Sequence, residues 1–187
     1  MGKCGKREKA VSDFYFSGSS TAKIDDKNRF VLPQSMRYGL VESGACEFTI
    51  CLGMGGCLNI YRKSDIEKIA KKFKEKQHIA RYQKFFTLFF STLFHTTCDK
   101  IGRVTLPPQL KKLVNIQKEI VVAGVLDKIE LWPKEVYDKN MENLLNEADS
   151  DEMLEMSEEA FALMHDEPEM EKIDESHIKK AQDLVSQ

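Results

Sequence analysis

Two stretches of this chain read almost alike: Lys23-Ile24-Asp25-Asp26-Lys27-Asn28-Arg29-Phe30-Val31-Leu32-Pro33 and Thr97-Cys98-Asp99-Lys100-Ile101-Gly102-Arg103-Val104-Thr105-Leu106-Pro107. Each runs apolar residue, Asp, three residues, Arg, two residues, Leu-Pro. The likeness continues downstream. Leu58-Asn59-Ile60-Tyr61 matches Ile129-Glu130-Leu131-Trp132, both alternating patterns that end in an aromatic and read as strands. The first copy is the longer between these landmarks, and its Gly53-Met54-Gly55-Gly56 loop is the natural place for the extra residues. After each aromatic a helix is expected. Ser64 and Glu67 have capping-box spacing, ahead of an apolar stripe of Ile66, Ile69, Ala70 and Phe73. In the second copy Pro133 suits a first helical turn, followed by Val136, Tyr137, Met141, Leu144 and Leu145.

Each half therefore reads strand, turn, strand, Pro-bounded loop, strand, hairpin, strand, helix. A repeat of this size cannot close a core alone. Two copies are expected to form an α+β fold, a pseudo-twofold β-barrel in which each half completes the other's sheet.

Within each turn, Asn28 and Gly102 hold the same place, and these residue types most readily accept positive φ. Asp25 and Asp99 open the turns, where a carboxylate accepts backbone N–H groups two residues on. These four residues are expected to structure the turns. Arg29 and Arg103 then project from a rigid edge, with Lys27 and Lys100 beside them. A fixed guanidinium neutralises phosphate and pairs bidentately with guanine, so these four basic residues are the candidate DNA contacts. The plainer alternative is an Asp–Arg salt bridge that only holds the turn. The two roles are compatible if Asp orders the turn while Arg faces outward.

The bulk properties agree with a globular protein. The chain has 187 residues, 42% hydrophobic and 31% charged, with a net charge of -2. DNA binding must then rest on local clusters of Lys and Arg. The start, with Lys3, Lys6, Arg7 and Lys9, is basic and has no long apolar run behind it, unlike a secretory signal. The greasiest segment, residues 85–94, is too short for a bilayer, which needs roughly 20 residues. It is expected to be a buried linker helix or a subunit contact. Cys46, Cys51 and Cys98 read as small apolar fillers in strands, no CxxC pair occurs, and His95 reads as a structural histidine. No catalytic constellation, metal cluster or phosphate-binding glycine loop is visible, so neither enzyme activity nor a cofactor is expected.

The paired turns, the Leu-Pro after each, and the closing run from Val121 to Trp132 resemble the MraZ family over roughly residues 14–148. The resemblance implies two AbrB-like (swapped-hairpin) units in one chain. It implies a cytoplasmic, nucleoid-associated transcriptional regulator that assembles as a homo-oligomeric ring. Such proteins bind short direct repeats in double-stranded promoter DNA upstream of the cell-division and cell-wall operon, without cofactor, membrane or small-molecule substrate. On this basis the chain divides into a basic arm (1–13), a first repeat (14–84), a second repeat (85–148) and an acidic extension (149–187).

Three features depart from the family pattern: Asn28 in place of the usual Gly, the basic arm, and the extension. From Glu142 to Glu175 the chain is acidic, with Lys172 its single Lys or Arg. Met153, Leu154, Met156, Ala160, Phe161, Leu163 and Met164 give it a helical stripe, and a further short helix is expected from Ile173 through Ile178 to Leu184. Such a tail admits a rival reading as an AbrB-type antitoxin that neutralises a protein partner. Neighbouring toxin genes, or neighbouring division genes, would separate the two.

Overall fold

A computed structural model describes residues 14–148 and 150–163. The basic arm, the helix expected over residues 173–184, and Met164 lie outside them. The described chain forms two compact units, divided between Asn140 and Met141.

In the first unit, eight strands alternate with short helices. The first half supplies β1 (Ser19–Lys23), β2 (Arg29–Val31), α1 (Gln34–Leu40), β3 (Glu47–Leu52), β4 (Leu58–Arg62) and α2 (Lys63–Glu75). A 3-10 turn (Ala80–Tyr82) and α3 (Gln83–Ser91) lead into the second half. That half runs β5 (Phe94–Thr97), β6 (Arg103–Thr105), α4 (Pro108–Leu113), β7 (Glu119–Val125), β8 (Lys128–Pro133) and the start of α5 (Lys134–Asn146).

The strand pairings cross between halves. The large sheet has the order β1-β7-β8-β4-β3-β5, and β2 pairs with β6 in a separate ribbon. Exchanging the halves reverses the sheet order onto itself. The central register behaves alike: Asn59↔Glu130 maps onto itself, and Leu58↔Leu131 exchanges with Ile60↔Ile129. The sequence repeat is thus a structural pseudo-twofold. β1 of the first half bonds to β7 of the second, and β5 of the second bonds to β3 of the first. Neither half has a complete sheet of its own.

The expected barrel is not closed. β1 and β5 end the sheet as edges, and the β2–β6 ribbon is not hydrogen-bonded into it. The turns between β1 and β2 and between β5 and β6 cause this. Their backbone N–H groups are spent on Asp25 and Asp99, so the ladder stops and the chain is redirected. The ribbon nevertheless shares the core. Its inward residues Phe30 and Val104 join Leu32, Ile50, Ile60, Leu106, Val122 and Leu131 in one buried cluster. The outward residues Val31 and Thr105 are exposed, as a period of two requires.

Several local expectations need correction. Short helices, α1 and α4, replace the Pro-bounded loops, because Pro33 and Pro107 stand at their starts, where a missing N–H costs nothing. The Ser64–Glu67 capping box is absent. Glu42, from the loop before β3, accepts the backbone N–H of Ser64 at 3.0 Å and also its hydroxyl, so the cap comes from a distant residue. Pro133 ends β8 rather than beginning α5. The segment expected as a buried linker does form a helix that runs into β5. Of its aromatics only Phe89 is buried, however, and Phe85, Phe90 and Phe94 remain substantially exposed. Phe89 packs with Cys51 and Ile66, and with half-buried Ile69 and Phe73 from the α2 stripe. Cys51 fills the core of β3 as expected, but Cys46 and Cys98 lie just outside β3 and β5 and are only half-buried. His95 lies in β5 and its Nδ1 is 2.8 Å from Oγ1 of the buried Thr49. The hairpin loop of the first half, residues 53–57, is longer than its counterpart in the second, residues 126–127.

The second unit contains the end of α5 and α6 (Asp151–Ala162). Ser150 caps α6, its hydroxyl accepting the N–H of Met153 at 3.2 Å. Leu154, Met156 and Phe161 are exposed on it.

Candidate nucleic-acid interface

The two Asp-x-x-x-Arg turns are built by the same bonds. Asp25 Oδ1 accepts the N–H groups of Lys27 at 2.9 Å and Arg29 at 2.8 Å. Asp99 Oδ1 accepts those of Ile101 at 3.0 Å and Arg103 at 2.9 Å. Each turn is closed by a backbone pair, Asn28 N–H to Asp25 O and Gly102 N–H to Asp99 O, both 2.9 Å. Asn28 and Gly102 are left-handed, with φ of 56° and 86°. That conformation turns their carbonyls toward the other half. Asn28 O accepts from Leu106 N–H at 2.8 Å, and Gly102 O from Leu32 N–H at 2.9 Å.

The second carboxylate oxygen of each Asp grips its own arginine. Asp25 Oδ2 accepts Nε of Arg29 at 2.9 Å and Nη2 at 2.7 Å, while Asp99 Oδ2 accepts Nε of Arg103 at 2.6 Å. The carboxyl of Asp25 is held below its ordinary value chiefly by the Arg29 side chain, and that of Asp99 chiefly by the Arg103 backbone N–H. Both acids are therefore ionised at neutral pH. Their hold on the turns weakens only as the pH falls below the ordinary carboxylate range. Among the described residues, Nη1 of Arg29 and both Nη atoms of Arg103 make no hydrogen bond within the chain. Each guanidinium is thus oriented along one edge and has donors left over.

β2 and β6 bring the two arginines together. Arg29 is opposite Thr105 and Arg103 is opposite Val31, so the arginines are diagonal neighbours on the outward face of the ribbon. Diagonal neighbours of this kind are about 7–8 Å apart. Lys27 and Lys100 are exposed on their respective turns, and Ile101 projects at the tip of the second. Asp26, also exposed, holds in the first turn the place that Lys100 holds in the second.

Two further basic residues join them. Lys111 on α4 donates to Asn28 Oδ1 at 3.1 Å, so a helix of the second half supports the first turn. Arg37 on α1 does the reciprocal. Its guanidinium is packed against Gly102, where an added Cβ would lie 2.6 Å from Cζ, and its Nε is buried without a partner. Arg37 and Lys111 hold equivalent places in the two halves. The signal was available in the sequence, since both are basic at the same distance after the Leu-Pro. What it could not convey was that each reaches across to the other turn.

Among the described residues no group of three or more His, Cys, Asp or Glu is arranged to hold a metal ion. Nor is any described helix long and apolar enough to cross a membrane.

A family model described as "MraZ protein, putative antitoxin-like" matches residues 15–87 and again residues 89–157. Each match contains one Asp-x-x-x-Arg turn with its following Leu-Pro. With two tandem matches over most of its length, the chain belongs to the MraZ family, a family of regulator and antitoxin-like proteins rather than enzymes.

Proposed function

We propose that this chain is a sequence-specific DNA-binding transcriptional regulator, acting as a repressor on short direct repeats in the promoter of the cell-division and cell-wall operon. The observation that carries the reading is the pair of oriented arginines on the outer face of the β2–β6 ribbon. A two-stranded ribbon fits the major groove, where an Arg pairs bidentately with guanine. Lys27 and Lys100 contact phosphate beside them, and Asp25, Asn28, Asp99 and Gly102 keep the turns in shape. Arg37 and Lys111 add positive charge from the opposite half. The strand exchange between halves supports a swapped-hairpin, AbrB-like ancestry for the pair of repeats.

One ribbon makes few contacts. Direct repeats and a homo-oligomeric ring answer this by raising the effective concentration of each successive ribbon. The setting is the cytoplasm, at the nucleoid. The basic arm of residues 1–13 and the acidic extension from residue 149 flank the two repeats.

Fluorescence anisotropy tests the reading, with the duplex upstream of the chain's own gene set against a scrambled duplex at two salt concentrations. The expected result is tighter binding to the native duplex that persists at the higher salt. Equal binding that salt erases means phosphate attraction alone. That result favours the second reading, an antitoxin acting on a protein partner, to which the family description and the acidic extension lend support.

A further inference from the structure

Cys46 and Cys98 face one another at the junction of the two halves. β3 pairs with β5 as far as Glu47↔Thr97, so Cys46 and Cys98 are the next opposed positions of that antiparallel pair. Directly opposed residues have Cα atoms about 4.5–5.5 Å apart, inside the range of roughly 4.4–6.8 Å that a disulfide spans. The side chains confirm the approach: the Cys98 thiol donates to Cys46 Sγ at 3.1 Å. Both residues are half-buried, unlike Cys51 and Cys57, which are sealed in the interior.

The place matters as much as the spacing. Cys98 immediately precedes Asp99, whose N–H bonds to Arg103 O at 3.0 Å and so closes the second turn at its base. Cys46 belongs to the first half, just ahead of β3. A bond between the sulfurs therefore fastens the strand entering the second turn to the first half. The Arg37 guanidinium lies against Gly102 in that turn.

We propose that Cys46 and Cys98 form a redox-modification site, a dithiol that a low-molecular-weight disulfide oxidises to a clamp between the two halves. The chemistry balances as two exchanges. The thiolate of Cys98 attacks a sulfur of oxidised glutathione, forming a mixed disulfide and releasing one glutathione thiolate. Cys46 then loses its proton and attacks the Cys98 sulfur, expelling the second glutathione. The protein gives up two protons and two electrons, and one glutathione disulfide becomes two thiols. Burial, followed by the neighbouring Cys98, pushes the Cys46 thiol up to about 12, which suits the order of attack: Cys46 is the slower, resolving partner. In a reducing compartment such a pair is transient and reports oxidising conditions. Because the sulfurs already touch, the bond holds the existing arrangement and does not rearrange it.

The test uses the full chain at low concentration, incubated with oxidised glutathione and then mapped by mass spectrometry without reduction. The expected product is a peptide pair joining Cys46 to Cys98 and lighter by two hydrogens. Closing a loop of this size is expected to raise Tm by roughly 10 °C, reversibly with dithiothreitol. Cys98→Ser and Cys46→Ser should each abolish both effects. Recovery of the two cysteines as free thiols, or as separate glutathione adducts, overturns the proposal. So does a cross-linked peptide with unchanged Tm, or a rise in Tm that survives Cys98→Ser.

Discussion

Arg29→Ala combined with Arg103→Ala is expected to abolish discrimination between the native and scrambled duplexes while leaving the fold intact. The size follows from base recognition: a bidentate Arg–guanine pair is worth about 1–3 kcal/mol of discrimination. Losing both from one ribbon costs about 2–6 kcal/mol, at least ~30-fold in relative affinity. Multivalent binding would enlarge that loss further. The fold should survive because the turns do not depend on the guanidinium groups. Asp25 still accepts the N–H groups of Lys27 and residue 29, and Asp99 those of Ile101 and residue 103, because these are backbone donors. Anisotropy for binding and circular dichroism for folding read the two effects separately. A folded double variant that still discriminates places recognition elsewhere. An unfolded one makes the ion pairs structural and takes the arginines out of the reading.

Arg62→Ala is expected to lower stability by about 3–5 kcal/mol. Arg62 is nearly buried at the end of β4. Its Nε donates to Gly39 O at 2.7 Å and its Nη2 to Phe14 O at 2.7 Å. Its guanidinium carbon is 4.9 Å from the centre of the Phe16 ring, and Nη1 is 3.5 Å from Asp65 Oδ2. One side chain therefore joins the segment before β1, the end of α1 and the start of α2. Truncation leaves two carbonyls and a carboxylate with a lost partner, together with a void under the ring. Arg62→Lys keeps the charge but not the planar fork, so an intermediate loss is expected. Urea denaturation measures both variants. A loss below about 1 kcal/mol for Arg62→Ala would mean that water replaces these bonds freely, against the burial seen.

Which parts of this molecule the sequence announces depends on the range of the interaction. The Asp-x-x-x-Arg turns are local: carboxylate, N–H groups and left-handed residue lie within five positions, so the pattern is legible in both copies. The strands that carry Tyr61 and Trp132 are legible for the same reason, by alternation. The repeat itself implies a pseudo-twofold, and the strand order has that symmetry.

Contacts between distant residues left no such trace. Ser64 looks locally like a cap, yet Glu42 takes its N–H from across the chain. Pro133 looks like a helix start, yet the ladder with Ile120 extends β8 to include it. The barrel expected from two interlocking units stays open because the turns that suit a DNA contact also interrupt the ladder. Arg37 and Lys111 were the least legible part of the candidate site, since their meaning depends on which turn each one reaches.

The most direct test of the central claim, that the turns are the surface that meets DNA, is photo-crosslinking from single positions. Ile101 projects from the second turn, and Met54 projects from residues 53–57, at the far end of β3 from that turn; both are well exposed. A photoreactive amino acid is placed at one or the other, and the protein is irradiated with the upstream duplex. A covalent protein–DNA product is expected from position 101 and none from position 54. A product from position 54 with none from position 101 would contradict the claim.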